Sequence, residues 1–179
     1  MKSNKSLDRR RDVRTIKQFK EDISWSTQRE NHLIRLYAKE MKFRGHKVKW
    51  ENNGIDNSGK LVEYSDNRPD FKVTIDDKEK LVEVKANPYH HKQTFKVYDL
   101  DAYVKAEADI LLFYHIGHHK TVVGPDTKWA IIETKNIEKM LKNSEIRTGD
   151  SKWGYKPVII VYPRDYDKYW KEEIITCQD

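Results

Sequence analysis

Apolar and polar residues alternate along two short runs near the middle of the chain. Residues 71–75 read Phe-Lys-Val-Thr-Ile, residues 81–85 read Leu-Val-Glu-Val-Lys, and the polar stretch 76–79 lies between them. A period of two residues is typical of a β-strand with one buried face, and a polar turn between two such runs predicts an antiparallel hairpin. We therefore take this hairpin as the centre of the fold.

The register of this hairpin decides which charged side chains meet. A turn centred on residues 77–78 would pair Asp70 with Lys85 and Lys72 with Glu83. Because side chains two residues apart share a face, Asp70, Glu83 and Lys85 would then crowd one patch of the sheet. Two carboxylates beside a lysine suit a divalent-metal site better than a core. The alternative is an exposed hairpin with surface ion pairs, each contributing only about 0–1 kcal/mol.

A helix precedes the hairpin. Apolar residues spaced three or four apart follow Ser24, and Gly45 can end the helix that they form. Ser26 or Thr27 can cap its start, and Glu30 would complete a capping box with Thr27. Glu30 therefore has a structural interpretation, which does not exclude a role beside the charged residues of the hairpin.

Shorter patterns indicate further elements along the rest of the chain. The nearly continuous apolar run at 110–116 indicates a strand covered on both faces, and a loop is expected at 117–126. The other predicted elements are strands at 47–50, 61–64, 129–133 and 157–162, and helices at 94–108, 136–142 and 165–173. This order predicts an α/β fold with a mixed β-sheet flanked by helices.

Composition narrows the class of protein. Ten Tyr and five Trp in 179 residues argue against disorder, and this length suits one domain. The single Cys177 excludes an internal disulfide and fits a reducing compartment. The N-terminus lacks the apolar core of a secretory signal, and no apolar run approaches the roughly 20 residues of a membrane span. We expect a soluble, cytoplasmic protein that does not enter membranes.

Positive charge indicates an anionic partner. The formal net charge is +6, and nucleic acid is the commonest polyanion that basic proteins bind. Residues 1–22 form a basic arm ahead of a single domain at 23–179, and its arginines are suited to contact phosphates: Arg9, Arg10, Arg11 and Arg14. The alternative for this arm is a solvated, partly disordered tail.

The motif of the hairpin resembles that of a known enzyme group. Pro69-Asp70, twelve intervening residues and Glu83-Val84-Lys85 resemble the core motif of the PD-(D/E)xK nuclease superfamily. The order of a Glu-bearing helix, hairpin, helix and apolar strand over residues 24–116 is similar to the core of that superfamily, the restriction-endonuclease-like fold. The residues of the motif, RPDF at 68–71 and EVK at 83–85, are most similar to those of compact transposase and phage endonucleases and of small homing endonucleases.

The resemblance implies a metal-dependent hydrolysis of phosphodiester bonds. Asp70, Glu83 and the backbone carbonyl of Val84 would bind Mg²⁺, which takes oxygen ligands and keeps several waters, and Mn²⁺ can replace it. Lys85 would orient or deprotonate the attacking water, or stabilise negative charge as a cation. Glu30 would act as an outer metal ligand or hold a water.

Other polar residues near the motif have weaker support. Related nucleases often place a polar residue near the scissile phosphate, so Lys92 and Gln93, at the start of the second predicted helix, are candidate nucleic-acid contacts. Helix capping or solvation explains them equally well. Five histidines invite a zinc site, but the chain has no CxxC or HExxH spacing, so we do not expect one. They are His90, His91, His115, His118 and His119.

These patterns together favour a metal-dependent DNA endonuclease. A non-catalytic nucleic-acid-binding protein is the competing class, and a nuclease acting on RNA or branched DNA is a third possibility. Cleavage of both strands of a duplex would require a homodimer or a place within a larger nucleoprotein complex. Divalent-metal binding at Asp70 and Glu83 separates the enzyme from the pure binder.

Overall fold

A computed structural model describes residues 16–53, 68–87, 89–116, 123–149 and 156–177. Its helices are α1 (Ile16–Phe43), α2 (Val97–Lys105) and α3 (Thr134–Asn143), with a 3₁₀ helix at Pro163–Lys168. Its strands are β1 (Val48–Asn52), β2 (Phe71–Ile75), β3 (Lys78–Asn87), β4 (Gln93–Lys96), β5 (Ala108–Ile116), β6 (Val123–Ile132), β7 (Ile146–Thr148), β8 (Pro157–Val161) and β9 (Glu173–Ile174).

The strands form two sheets. The larger has the order β1-β2-β3-β5-β6-β9, in which β3 and β5 run parallel and every other neighbouring pair is antiparallel. The smaller sheet, β4-β8-β7, is antiparallel. The segment between the parallel strands β3 and β5 contains β4 and α2, which make the crossover that parallel strands need. The predicted α/β fold with a mixed sheet is confirmed, and the second sheet was not predicted.

Apolar side chains cover both faces of the larger sheet. On one face, Leu33 and Ile34 of α1 pack in a cluster with Val82 and Val84 of β3. On the other face, α2, α3 and the smaller sheet pack over alternate residues of β5, such as Ile110. The apolar run at 110–116 is therefore part of a central strand, and its described side chains, at 110–114, are buried on both faces, as expected.

Helix α1 begins earlier than predicted. It starts at Ile16, so Ser26 and Thr27 lie in its interior and the capping box with Glu30 is wrong. The residues before Ser26 include Lys, Gln and Glu, which favour helix, and Lys17 and Glu21 form an ion pair one turn apart. Residues 16–22 of the predicted basic arm are consequently the first turns of α1.

The hairpin has a different register from the predicted one. Ile75 pairs with Lys78, and both residues between them have positive φ, 48° at Asp76 and 68° at Asp77. Positive φ at both central residues gives the two-residue turn that matches the twist of a hairpin, and Asp tolerates this conformation. The turn therefore lies one residue earlier than expected, and Lys72 pairs with Leu81 instead of Glu83. A shift of two residues in pairing leaves each side chain on the same face.

Long-range pairing explains the other differences. The second helix was expected over 94–108, but residues up to Lys96 form β4, which pairs with β8, and α2 begins at Val97. Strand β6 begins inside the expected loop at 117–126, and the expected helix at 165–173 is a 3₁₀ helix followed by β9. The expected strand at 61–64 lies outside the described residues.

The helices of the described ranges have polar surfaces. None of them combines the length and the apolar character that crossing a bilayer requires. Even α1, with 28 residues, places lysine, arginine and glutamine side chains at its exposed positions.

Candidate active site

Three predicted residues meet where β2 begins and β3 passes it. Glu83 and Lys85 lie two apart on β3, and Lys85 Nζ is 2.5 Å from Glu83 Oε1. Asp70 lies immediately before β2, and its Oδ2 accepts a hydrogen bond of 2.9 Å from the backbone N–H of Val84. The grouping of Asp70, Glu83 and Lys85 is therefore as expected, although the pairing from which it was predicted is wrong.

The turn before β2 is held by the end of β1. The backbone N–H of Asn53 donates to the carbonyl of Asp70 over 2.8 Å, and its side-chain amide donates to the carbonyl of Pro69 over 3.0 Å. Pro69 is buried, so the backbone on both sides of this peptide is constrained. Nothing local in the sequence distinguishes Asn53 from any other loop asparagine, so this contact was not predicted.

Glu30 is the third acidic member of the site. It lies on α1, which covers the opposite face of the sheet, yet its charge acts on that of Asp70. Ser26, one turn earlier, donates a hydrogen bond to the Glu30 carboxylate. Burial and the nearby charge of Glu83 raise the pKa of Glu30 despite this hydrogen bond. The structure thus joins Glu30 to the predicted site electrostatically.

Glu30, Asp70 and Glu83 form a carboxylate cluster in which the negative charge exceeds the positive charge of Lys85. Burial raises the pKa of Asp70 to about 8, and repulsion by Glu83 and Glu30 adds to this effect. Lys85 and the Val84 N–H act in the opposite direction and do not compensate for it. Three carboxylates around one ammonium group are costly to keep ionised in a partly desolvated place, which makes a functional site a good explanation for them.

Lys85 is held as a cation. Its partial burial acts to lower the pKa, but the charges of Glu83 and Asp99 and the hydrogen bond to Glu83 raise it well above its ordinary value. A lysine that keeps its proton is suited to stabilise negative charge and unsuited to remove a proton from water. Of the three roles considered for Lys85, the geometry favours the cationic one.

Tyr103 of α2 is part of the site and was missed. Its side chain is 3% exposed, and its hydroxyl donates a hydrogen bond of 2.7 Å to Glu83 Oε1. Its ring centroid lies 5.4 Å from Lys85 Nζ. Burial and the charge of Glu83 raise the pKa of this hydroxyl, so Tyr103 stays a hydrogen-bond donor. Helical spacing showed which side of α2 packs inward, but it does not predict a contact with β3.

Gln93 does not lie at a helix start. It is a buried residue of β4, 1% exposed, and its carbonyl oxygen accepts from Asn87 over 3.0 Å. Its amide nitrogen donates to the carbonyl of Tyr89 over 3.0 Å and to Tyr166 Oη over 3.3 Å. These bonds fasten the segment that follows Lys85 to the core. Contact of Gln93 or of the exposed Lys92 with nucleic acid stays a prediction.

The structure does not test the predicted phosphate-binding arginines. Arg9, Arg10, Arg11 and Arg14 lie outside the described residues. Basic side chains nevertheless dominate the described surface of α1. Between residues 24 and 43, every exposed ionisable side chain is basic: His32, Arg35, Lys39 and Lys42.

The donor set suits a hard divalent cation held by few protein ligands. Among the described residues, no three His, Cys, Asp or Glu side chains are arranged to bind one metal ion. His90, one of the histidines considered for zinc, contacts Glu172 over 2.8 Å. Asp70 and Glu83 supply two carboxylates, and Mg²⁺ characteristically uses one or two carboxylates with waters and substrate phosphates. The residues present therefore fit Mg²⁺ or Mn²⁺.

Comparisons of the sequence with protein families and with curated proteins add nothing to this site. No protein-family model matches the chain, and no curated protein shows a significant sequence match to it. The function is consequently inferred from the chemistry of the site.

Proposed function

We propose that this protein is a metal-dependent nuclease of the PD-(D/E)xK type with a restriction-endonuclease-like core, cutting DNA internally. The observation that carries the proposal is the carboxylate cluster against Lys85, in which the pKa of Asp70 is raised to about 8. An ion-paired surface would leave Asp70 near its ordinary pKa, and a stability-driven core would exclude these charges. A divalent cation would relieve their repulsion.

The roles of the residues follow from their positions. Asp70 and Glu83 would bind the metal, and the resemblance adds the carbonyl of Val84. When bound, Mg²⁺ lowers the pKa of a coordinated water and offsets negative charge on the phosphate. Lys85, protonated and next to Glu83, stabilises the charge that develops on the phosphate oxygens. Glu30 would hold a water at the edge of the site.

The arrangement of elements also supports the proposal. A helix carrying Glu30, the β2–β3 hairpin, and α2 leading into a strand parallel to β3 follow in the order that the resemblance implies. The basic surface of α1 and the net charge of +6 support a polyanionic partner. Cleavage of both strands would require a homodimer or a larger nucleoprotein complex, since each chain has one such cluster in its described part.

Incubation with supercoiled plasmid tests the proposal. The purified protein is tested with Mg²⁺, Mn²⁺ or EDTA beside Lys85→Ala and the matched control Lys78→Ala, an exposed lysine of the same hairpin. Nicking that requires metal, persists in Lys78→Ala and disappears in Lys85→Ala is the expected result. Salt-sensitive retention of the plasmid without cleavage would favour a pure binder, and cleavage of RNA or branched DNA alone would change the substrate class.

A further inference from the structure

Tyr103 contacts both charged residues that β3 contributes to the site. Its hydroxyl donates to Glu83 Oε1 over 2.7 Å, and its ring lies 5.4 Å from Lys85 Nζ. Lys85 Nζ lies 2.5 Å from the same oxygen of Glu83. One buried side chain of α2 thus restrains the carboxylate and the ammonium group together.

These contacts distinguish the two oxygens of Glu83. A carboxylate oxygen has two lone pairs, and both of those on Oε1 have donors, from Tyr103 and from Lys85. Oε2 has no hydrogen bond within the described part of the chain, which makes it the oxygen available to a cation. The Tyr103 hydroxyl therefore fixes the rotation of the carboxylate about its last bond.

The contact between the Tyr103 ring and Lys85 also holds a charged residue of the site in place. An ammonium group beside an aromatic ring gains electrostatic stabilisation, and here the ring is buried beneath it. Asp99 lies one helical turn before Tyr103 on α2, and its negative charge acts on Lys85 as well. Helix α2 therefore holds the lysine against β3.

We propose that Tyr103 is a positioning residue, whose hydroxyl holds Oε1 of Glu83 so that Oε2 would be available to bind a metal ion, and whose ring keeps Lys85 beside that carboxylate. This inference rests on the proposed function only through its metal site at Asp70 and Glu83. A tyrosine that only filled the core would contribute to folding and leave metal binding unaffected.

The test compares variants by Mn²⁺ affinity, cleavage kinetics and thermal unfolding. Tyr103→Phe removes the hydroxyl and keeps the ring, and Tyr103→Leu removes both. Tyr169→Phe is the matched control, because Tyr169 is also buried and its hydroxyl shares a hydrogen bond of 3.0 Å with Ser144, directly after α3 and away from the cluster. Mn²⁺ affinity is measured by titration calorimetry on the metal-free protein, without substrate.

We expect Tyr103→Phe to weaken Mn²⁺ binding and lower kcat, each by about 10–100-fold, with little change in KM. Tyr103→Leu is expected to lose more of both, and Tyr169→Phe to retain wild-type metal affinity and kcat. If the Phe variant is destabilised, Mn²⁺ affinity is compared at a temperature where all variants are folded.

The outcomes separate this inference from the proposed function. Wild-type Mn²⁺ affinity and kcat in Tyr103→Phe, with Lys85→Ala inactive, would overturn the positioning role and leave the nuclease intact. A wild-type protein that binds Mn²⁺ and cuts no nucleic acid, with weaker binding in Tyr103→Phe, would overturn the nuclease and support the positioning role. A wild-type protein that binds no Mn²⁺ overturns both.

Discussion

Replacing Asp70 with Asn should make the protein more stable while it removes the proposed activity. Burial and the neighbouring carboxylates raise the pKa of Asp70 to about 8 in the folded protein, against 3.8 for the free side chain. Between these values the folded state keeps a proton that the unfolded state releases, so stability falls as the pH rises. Asparagine has no charge to bury, and its amide oxygen can still accept the hydrogen bond from Val84.

The size of the gain follows from the pKa difference. At pH 7 the raised pKa of Asp70 lowers the free energy of unfolding of the wild type by about 4 kcal/mol. This value is the interval between 3.8 and 7, taken at roughly 1.36 kcal/mol for each pH unit. At pH 7 the folded protein holds Asp70 as a neutral acid, and the asparagine amide brings one more N–H donor than that acid, which takes back about 1 kcal/mol when it is buried. We therefore expect Asp70→Asn to raise the free energy of unfolding by about 3 kcal/mol, or roughly 6–12 °C in Tm.

Urea unfolding followed by tryptophan fluorescence in EDTA measures this effect. The difference between Asp70→Asn and wild type should be small near pH 4, grow to about pH 8 and then level off. Asp101→Asn, on the exposed side of α2, is the matched control and should stay within about 0.5 kcal/mol of wild type. Added Mg²⁺ should stabilise the wild type alone. An Asp70→Asn protein less stable than wild type at pH 7 would refute the reasoning.

Two further predictions concern α1. Glu40 is 1% exposed and accepts hydrogen bonds from Thr176 and Cys177; its pKa is lowered to about 2 even though burial acts to raise it. Its contribution is therefore complete above pH 4.5 and lost as the pH falls toward 2. Glu40→Ala should cost about 3 kcal/mol in urea unfolding at pH 7, whereas the exposed Glu138→Ala should cost less than about 0.5 kcal/mol. For nucleic-acid binding, a triple glutamine variant of the α1 surface should flatten the salt dependence of plasmid binding, lowering the log–log slope by about 2–3. A control variant with the same charge change made elsewhere should retain the wild-type slope. Equal slopes in the two variants would refute a specific role of the α1 surface. The first variant changes Arg35, Lys39 and Lys42, and the second changes Lys49, Lys78 and Lys105.

The candidate site was predictable where its geometry is local. Glu83 and Lys85 share a face because they lie two apart on one strand. Asp70 joins them despite the wrong pairing, because the error was an even number of residues. The residues that support the site were not predictable, since Tyr103 and Asn53 act through contacts between elements distant in the chain.

The elements of the fold were likewise predictable where they depend on local sequence, and were missed where they depend on pairing between distant segments. The hairpin, the central strand β5 and helix α3 follow from apolar periodicity within each segment. Strand β4 did not, because residues 93–96 become a strand by pairing with β8, more than sixty positions later. The start of α1 was misplaced for a different reason, since a serine that can cap a helix can also occupy its interior and bond to Glu30.

The alternation along β3 sets a rule for tolerated insertions and deletions. Val82 and Val84 contribute to the cluster under α1, whereas Glu83 and Lys85 point to the side of α2. One residue added within the strand before Glu83 would exchange these sides, placing two charges in the apolar cluster. Insertions and deletions within β3 should therefore be tolerated only when they add or remove an even number of residues. The turn at Asp76 and Asp77 can accept a single added residue. In an insertion library selected for folding, β3 should contain only insertions of an even number of residues, whereas the turn should contain insertions of odd and even length.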